Sequence, residues 1–319
     1  MDAMFGPYGD FRHKQYRGSL IAENDVRLTR ISDSLRILIF VGVTYAFSWS
    51  SWVSAKLFGD RNALVKLWFY HIKIQLPFNG LLEYVGAIGP SVGLVVIAAF
   101  FSSSTQRHQI LCGIRKWRVA PRFYVFALLS PFVAFYVADL VRSFGGADPI
   151  YIRPPWLWAV DMLFNILPGP LCEELGWRGF LLPELRAKRG NLVAALWVGV
   201  IWGVWHIPFR IHTGPRGTSP ALFLFVFIIG AVGLSIILAW LYNSSGNAVL
   251  PCIIFHTANN SALHFFITPE LLRDGTLSPF LGATASVWIL AGAILVLDKR
   301  FNKGIFWPVK ISHEIESGL

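Results

Sequence analysis

Residues 220–242 have the sequence PALFLFVFIIGAVGLSIILAWLY, which contains no charged side chain. An α-helix needs about 20 predominantly apolar residues to cross the hydrocarbon core of a bilayer. This stretch therefore predicts a transmembrane helix. The whole chain has the same character, because 55% of its 319 residues are hydrophobic, its mean hydropathy is +0.54 and only 14% of its residues are charged. Soluble globular proteins carry about 25% charged residues.

Seven further apolar stretches also predict membrane spans, at residues 36–57, 80–101, 122–141, 156–182, 191–209, 247–267 and 279–297. Two of them are interrupted, at Pro168-Gly169-Pro170 and at Gly89-Pro90-Ser91. Such breaks persist at membrane depth only where neighbouring helices or a water-filled cavity satisfy the freed backbone groups. We therefore predict an all-α, polytopic membrane protein in which about eight transmembrane helices enclose a polar intramembrane cavity. The amphipathic stretch 62–79 is expected to lie in the interface.

The basic residues give the chain a formal net charge of +10. They lie in short segments between the apolar stretches, where they mark topology and contact anionic lipid, so no nucleic-acid partner is expected. Segments assigned to one side of the membrane hold 18 Lys and Arg, against nine on the other side. Because cytoplasmic loops are rich in Lys and Arg, both termini are predicted to be cytoplasmic. The predicted organisation is a cytoplasmic segment 1–35, a transmembrane helical domain 36–298 and a cytoplasmic tail 299–319.

Ionisable residues inside membrane spans are expensive, so each one is a functional hypothesis. In the fourth span, Glu174 and Arg178 are four residues apart and share a helical face, which predicts an ion pair. Glu173 points about 100° away from that face and has no cation nearby in sequence. A carboxylate in this situation could serve as a general base for water. The alternative is a structural ion pair with a spare glutamate.

Two further polar positions follow in later spans. His206 lies four residues after Trp202 in an apolar helix, where an isolated histidine is more often a packing residue than a catalyst. His256 and Asn260 are also four residues apart, so both project from one face of the helix. Both side chains could therefore donate hydrogen bonds to one oxygen, as in an oxyanion hole. The alternative for this pair is hydrogen bonding between helices.

These three patterns together resemble the CPBP family, the CAAX prenyl proteases and bacteriocin-processing enzymes also called the Abi family. Its members share three motifs on separate membrane helices, which here read Glu173-Glu174-Leu-Gly-Trp-Arg178, Trp202-Gly-Val-Trp-His206 and His256-Thr-Ala-Asn-Asn260. Trp202 stands where the family usually has phenylalanine. The resemblance covers about residues 156–268, and outside it only Gly-Pro-Ser in the second span is similar.

The resemblance implies an eight-helix intramembrane endopeptidase, similar to CAAX prenyl proteases. It implies that Glu173 and His206 activate water and that His256 and Asn260 form the oxyanion hole. Glu174, Arg178 and Trp202 then have supporting roles. The same resemblance leaves a zinc metalloprotease open, in which Glu173, His206 and His256 would hold the metal. We expect a metal-free mechanism, since the chain contains no His-Glu-x-x-His motif.

A non-catalytic membrane scaffold or a bacteriocin-immunity factor is the alternative function, and a transporter is a third. Complete motifs favour catalysis, because a scaffold would not require them all. The expected partners are the lipid bilayer and a membrane-associated peptide or protein substrate. The expected location is the cell membrane of a bacterium or an archaeon.

Overall fold

The computed structural model describes residues 31–58, 64–69, 72–144, 155–211, 213–266, 277–300 and 304–307. Most of the predicted terminal segments 1–35 and 299–319 lie outside these ranges, so their assignment stays a prediction. The described elements, in chain order, are α1 (Asp33–Phe58), β1 (Leu64–Phe69), β2 (Ile72–Pro77), α2 (Phe78–Ala87), α3 (Gly89–Phe100), α4 (Ser104–Arg115), α5 (Pro121–Phe144), α6 (Pro155–Asn165), π1 (Leu167–Leu171), α7 (Cys172–Gly176), π2 (Trp177–Leu181), α8 (Leu182–Arg189), α9 (Asn191–Trp205), α10 (Ile207–Arg210), α11 (Pro220–Ser244), α12 (Leu250–Phe266) and α13 (Ser278–Arg300).

The predicted all-α membrane class is confirmed. Within the described residues, five helical segments are long and apolar enough to cross a membrane, namely Asp33–Phe58, Gly80–Phe100, Pro121–Phe144, Pro220–Ser244 and Ser278–Arg300. The other three predicted spans coincide with helices that are interrupted, as in 155–189, or shorter, as in α9 and α12. A total of eight spans therefore stays a prediction.

A short β-hairpin is the one element made of strands among the described residues. Strands β1 and β2 pair antiparallel, with Leu64 opposite Pro77 and Phe69 opposite Ile72. They occupy most of the stretch 62–79 that the sequence placed at the membrane interface. The described hydrogen-bonded backbone there is thus a sheet rather than an amphipathic helix.

The fourth predicted span is broken into short segments, as the prolines in it predict. Two π-helical turns, π1 and π2, flank the five-residue helix α7, which carries the two adjacent glutamates. Pro170 lies inside π1, where a missing N–H and the bulk of the ring disfavour regular α-helix. Wider π-turns of this kind occur frequently at functional sites.

The interruption in the second predicted span packs against this broken segment. Helix α2 ends at Ala87 and α3 begins at Gly89, so the helix is interrupted at the predicted Gly89-Pro90-Ser91 position. The Ser91 hydroxyl donates a hydrogen bond to the carbonyl of Cys172 at 2.7 Å. Gly176 lies so close to Pro90 that a Cβ on it would sit 2.7 Å from the proline Cβ. The two interruptions therefore hold each other in place.

Close contact between α9 and α11 positions the second motif. A Cβ on Gly199 would lie 2.6 Å from the Cα of Val232, so only glycine allows the two helices to approach this closely. Small residues commonly permit such contacts between membrane helices. Trp202 and His206 follow within the next two turns, and their position relative to α11 is set by this contact.

Several segments that the charge count assigned to one side of the membrane contact one another. Lys188 donates a hydrogen bond to Ser34 at 2.9 Å, which joins α8 to the start of α1. The side-chain amide of Asn191 donates to the carbonyl of Ile305, which joins α9 to the segment 304–307. These elements share one end of the molecule. The prediction that this end faces the cytoplasm is not tested by these contacts.

Candidate active site

One cavity of about 530 Å³ brings the three sequence motifs together. Side chains of Glu173, Trp202, His206, His256 and Asn260 all contribute to its lining. They come from α7, from α9 and its end, and from α12. Glu174 and Arg178 do not line the cavity and lie fully buried behind it.

Glu174 is the centre of a buried charge network behind the cavity wall. Its Oε1 accepts a hydrogen bond from Nη1 of Arg178 at 3.0 Å, so the predicted pair exists. The same oxygen lies 2.9 Å from Nδ1 of His256. A second guanidinium nitrogen of Arg178 donates to Ser235 at 3.3 Å. Sequence spacing predicted the ion pair, but it gave no indication that the third motif shares the same carboxylate.

The contact with Glu174 fixes which ring nitrogen of His256 faces the cavity. A carboxylate that is ion-paired with arginine accepts hydrogen bonds, so Nδ1 of His256 carries the hydrogen that points at Glu174. The other nitrogen, Nε2, then carries a hydrogen only when the ring is an imidazolium. An oxyanion-stabilising role for His256 therefore requires the charged ring, with Glu174 as its counter-ion.

Glu173 is held by the aromatic residue of the second motif. The indole nitrogen of Trp202 donates a hydrogen bond to Oε2 of Glu173 at 2.6 Å. Glu173 is buried, and its carboxyl group lines the cavity. No ion pair to Glu173 is formed by any Lys, Arg or His in the described parts of the chain. This agrees with the expectation that Glu173, unlike Glu174, lacks a cation of its own.

His206 is oriented by the same residue. Its Nδ1 lies 2.9 Å from the backbone carbonyl of Trp202, which can only accept, so Nδ1 carries the hydrogen. In the neutral ring, Nε2 therefore has a free lone pair. Aromatic rings surround the imidazole, with Trp205 at 4.6 Å and Phe227 at 5.1 Å between ring centroids. This arrangement suits a proton acceptor in a mostly apolar cavity.

The described residues were also compared with the donor set of a zinc site. Glu173, His206 and His256 line the same cavity. Across the described ranges, however, no three His, Cys, Asp or Glu side chains are grouped so that they could hold one metal ion. The three predicted ligands are therefore not grouped around one point among the described residues.

The cavity also contains polar residues that lie outside the three motifs. Asn259 lines it beside Asn260 and is buried, and it is three residues from His256 on the same helix. Arg210, counted from the sequence as a loop residue, also faces into it. The other polar lining residues outside the motifs include Glu83, Asp161, Asn165, His264 and Thr284. Nδ1 of His264 lies 3.3 Å from the carboxylate of Asp161. A four-residue spacing between His206 and Arg210 was the one available signal for Arg210.

The fold and this site define a helical integral membrane protein with a polar cavity built from three separate helical segments. Residues 155–262 match the family described as Type II CAAX prenyl endopeptidase Rce1-like. A curated relative, CAAX prenyl protease 2 of the archaeon Methanococcus maripaludis, is 26% identical over 145 residues. These two matches confirm the resemblance to the CPBP, Rce1-like family that was drawn from the three motifs.

The matched region is limited in extent. It covers 44% of this chain and 51% of the archaeal relative, so the chain spans about half the length of the curated relative it matches. The family match contains all three motifs and the whole segment from α6 to most of α12. The family match therefore covers the segments that carry the three motifs, whereas other lining residues such as Trp52, Glu83 and Thr284 lie outside it.

Proposed function

We propose that the protein is an intramembrane endopeptidase that hydrolyses a peptide bond of a membrane-associated peptide or protein. The observation that carries the proposal is the convergence of Glu173, His206, His256 and Asn260 on one buried cavity. A carboxylate, two imidazoles and an amide can together supply the general base and the oxyanion donors for peptide hydrolysis by an activated water. The family match over residues 155–262 supports the same activity.

Water activation is assigned to Glu173 and His206. A water molecule lies between the Glu173 carboxylate and Nε2 of His206. It gives up a proton to Glu173 as its oxygen attacks the peptide carbonyl carbon. Trp202 orients both groups, through its indole N–H to Glu173 and its carbonyl to His206. The acquired proton then passes to the departing amine nitrogen as the carbon–nitrogen bond breaks.

Charge stabilisation is assigned to His256 and Asn260. As water adds, the carbonyl oxygen becomes an oxyanion, and the Nε2–H of an imidazolium His256 and the side-chain amide of Asn260 donate to it. Donors that are fixed before the reaction stabilise this charge without reorganisation. The Glu174–Arg178 pair holds His256 in place from behind.

The substrate is proposed to reach the cavity from the bilayer or its surface. The archaeal relative is named a CAAX prenyl protease, and a lipid-modified peptide is one candidate substrate class. Peptides that accumulate uncleaved in cells lacking the activity would identify the substrate and show whether it carries a prenyl group.

The decisive test is Glu173→Gln, which keeps the shape of the side chain and removes the proton acceptor. Hydrolysis should fall by at least ~10²-fold, as loss of general base catalysis typically causes. Glu184→Gln is the matched control, because Glu184 pairs with Arg36 at 3.1 Å outside the cavity. Uncleaved substrate should accumulate only in cells with the Glu173 variant. If that variant kept the full cellular phenotype, the protein would instead be a non-catalytic scaffold or immunity factor.

A further inference from the structure

Arg210 is a charged cavity residue to which the proposed reaction assigns no role. It ends the short helix α10, four residues after His206, and it lines the same cavity as Glu173. The rings of Phe209 and Phe227 hold its guanidinium, with the central carbon 5.0 Å and 5.2 Å from the two ring centroids. Its position is thus fixed relative to His206 by one helical turn.

Arg210 has no counter-ion among the described residues. Three other arginines that are buried or partly buried among the described residues pair with a carboxylate, in Arg36–Glu184, Arg142–Asp139 and Arg178–Glu174. Arg210 forms no such pair in the described ranges, although Glu83 and Glu173 line the same cavity. Its Nε is buried and has no hydrogen-bond partner.

A cation that has no ion-pair partner in a mostly apolar cavity loses solvation free energy, and an anionic ligand offsets that loss. The planar guanidinium matches a carboxylate, which it can bind with two parallel hydrogen bonds. We propose that Arg210 forms an anion-binding subsite that takes a carboxylate of the substrate peptide. This assignment rests on the proposed function for its substrate, but its chemistry can be measured as binding alone.

A peptide offers two sources of that carboxylate, its free C-terminus and an acidic side chain. Three synthetic probes separate them: dodecanoyl-Ala-Ala-Leu with a free C-terminal carboxylate, the same peptide with a C-terminal amide, and the amidated peptide dodecanoyl-Ala-Asp-Leu. Binding is measured on the full-length Glu173→Gln protein in detergent, so that no cleavage is needed. A failure of the proposed hydrolysis would then leave this measurement intact.

The free carboxylate probe should bind at least about tenfold more tightly than its amide, as expected for a charge-assisted hydrogen bond. Arg210→Gln should abolish this preference. Arg210→Lys should keep part of it, because the positive charge remains but the planar guanidinium that makes two parallel hydrogen bonds is lost. Arg216→Gln is the control, because Arg216 is an exposed arginine in the following loop, outside the cavity.

If the Asp-containing amide binds as well as the free acid, the subsite recognises an acidic side chain. If the amide binds more weakly, the subsite recognises the C-terminal carboxylate. Melting temperatures of the variants show that they remain folded. Equal binding of acid and amide by the parent protein, no measurable binding of the acid, or an unchanged preference in Arg210→Gln would each overturn the assignment.

Discussion

The indole nitrogen of Trp202 donates a hydrogen bond to Oε2 of Glu173 across 2.6 Å. The aromatic residue of the second motif therefore holds the carboxylate of the first. Its backbone carbonyl also accepts from His206. One residue thus orients both groups to which water activation is assigned.

The first prediction is that Trp202→Phe lowers kcat by about tenfold or more. The ring and its packing are kept, but the carboxylate of Glu173 loses a hydrogen bond of a kind worth about 1.5–3 kcal/mol. Because the main-chain contact to His206 is unaffected, activity should fall without vanishing. Steady-state hydrolysis with purified protein measures the change.

Trp205→Phe is the matched control for this substitution. Trp205 lies three residues further along the chain, is fully buried, and its indole nitrogen has no hydrogen-bond partner among the described residues. It should lose far less activity than Trp202→Phe. Equal activity of Trp202→Phe and the parent protein would show that the hydrogen bond does not orient the carboxylate.

The second prediction concerns the buried pair behind the cavity. Arg178→Ala removes the arginine partner of the buried Glu174 carboxylate, and breaking a buried ion pair costs about 3–5 kcal/mol. Thermal stability and expression should fall together with activity. Lys188→Ala breaks a partly exposed pair with Asp33 and should cost under about 1 kcal/mol. A stable, folded but inactive Arg178→Ala would instead assign Arg178 to the catalytic groups.

The third prediction tests the contact between the two interrupted spans. Gly176→Ala places a methyl group 2.7 Å from Cβ of Pro90, and overpacking of this kind costs about 1–3 kcal/mol. Gly179→Ala is its control, since the nearest atom to a Cβ there, on Ile114, is 3.8 Å away. Melting temperatures in detergent should drop for Gly176→Ala alone. An unchanged value would mean that α3 and α7 can separate without cost.

Much of the fold and part of the site could be predicted from local sequence. Apolar length predicted where the helices lie, and the prolines predicted the breaks at residues 88 and 167–171. The four-residue spacing predicted the Glu174–Arg178 pair, because both ends of that contact lie on one helix. These successes share one property, which is that the relevant distance is set within a single segment.

Contacts between different segments could not be predicted from the spacing of residues along the chain. Nothing in the spacing of α12 indicates that His256 shares the carboxylate of Glu174, 82 residues away along the chain. Arg210 was counted with the loop residues because apolar character ends just before it, yet it lines the cavity. The hairpin at 64–77 was missed for a similar reason, since its strands are stabilised by pairing with each other.

The fourth prediction separates two neighbouring amides on α12. Asn260→Ala should reduce transition-state stabilisation by about 2.7–4 kcal/mol, as loss of an oxyanion donor does, while substrate binding stays nearly unchanged. Asn259→Ala is the comparison, because Asn259 lines the same cavity one position earlier. A larger loss of kcat in Asn259→Ala than in Asn260→Ala would transfer the oxyanion role to Asn259.

The fifth prediction concerns metal. A metal-free mechanism predicts that strict chelation leaves hydrolysis unchanged and that Zn²⁺ does not copurify in proportion to the chain. A catalytic zinc site needs three protein ligands and would bring about one Zn²⁺ per chain. Metal analysis of the purified protein, before and after chelation, measures this directly.

Two histidine variants complete that experiment. In the zinc alternative, His206→Ala releases the metal and abolishes activity together. In the metal-free mechanism it abolishes activity with no change in metal content, because Nε2 of His206 no longer positions the water that Glu173 deprotonates. His264→Ala is the control, since His264 lines the same cavity but contacts Asp161 rather than Trp202. The zinc mechanism predicts one Zn²⁺ per chain that is lost in His206→Ala and kept in His264→Ala. That result would show that a metal centre, rather than Glu173 and His206 alone, activates the water.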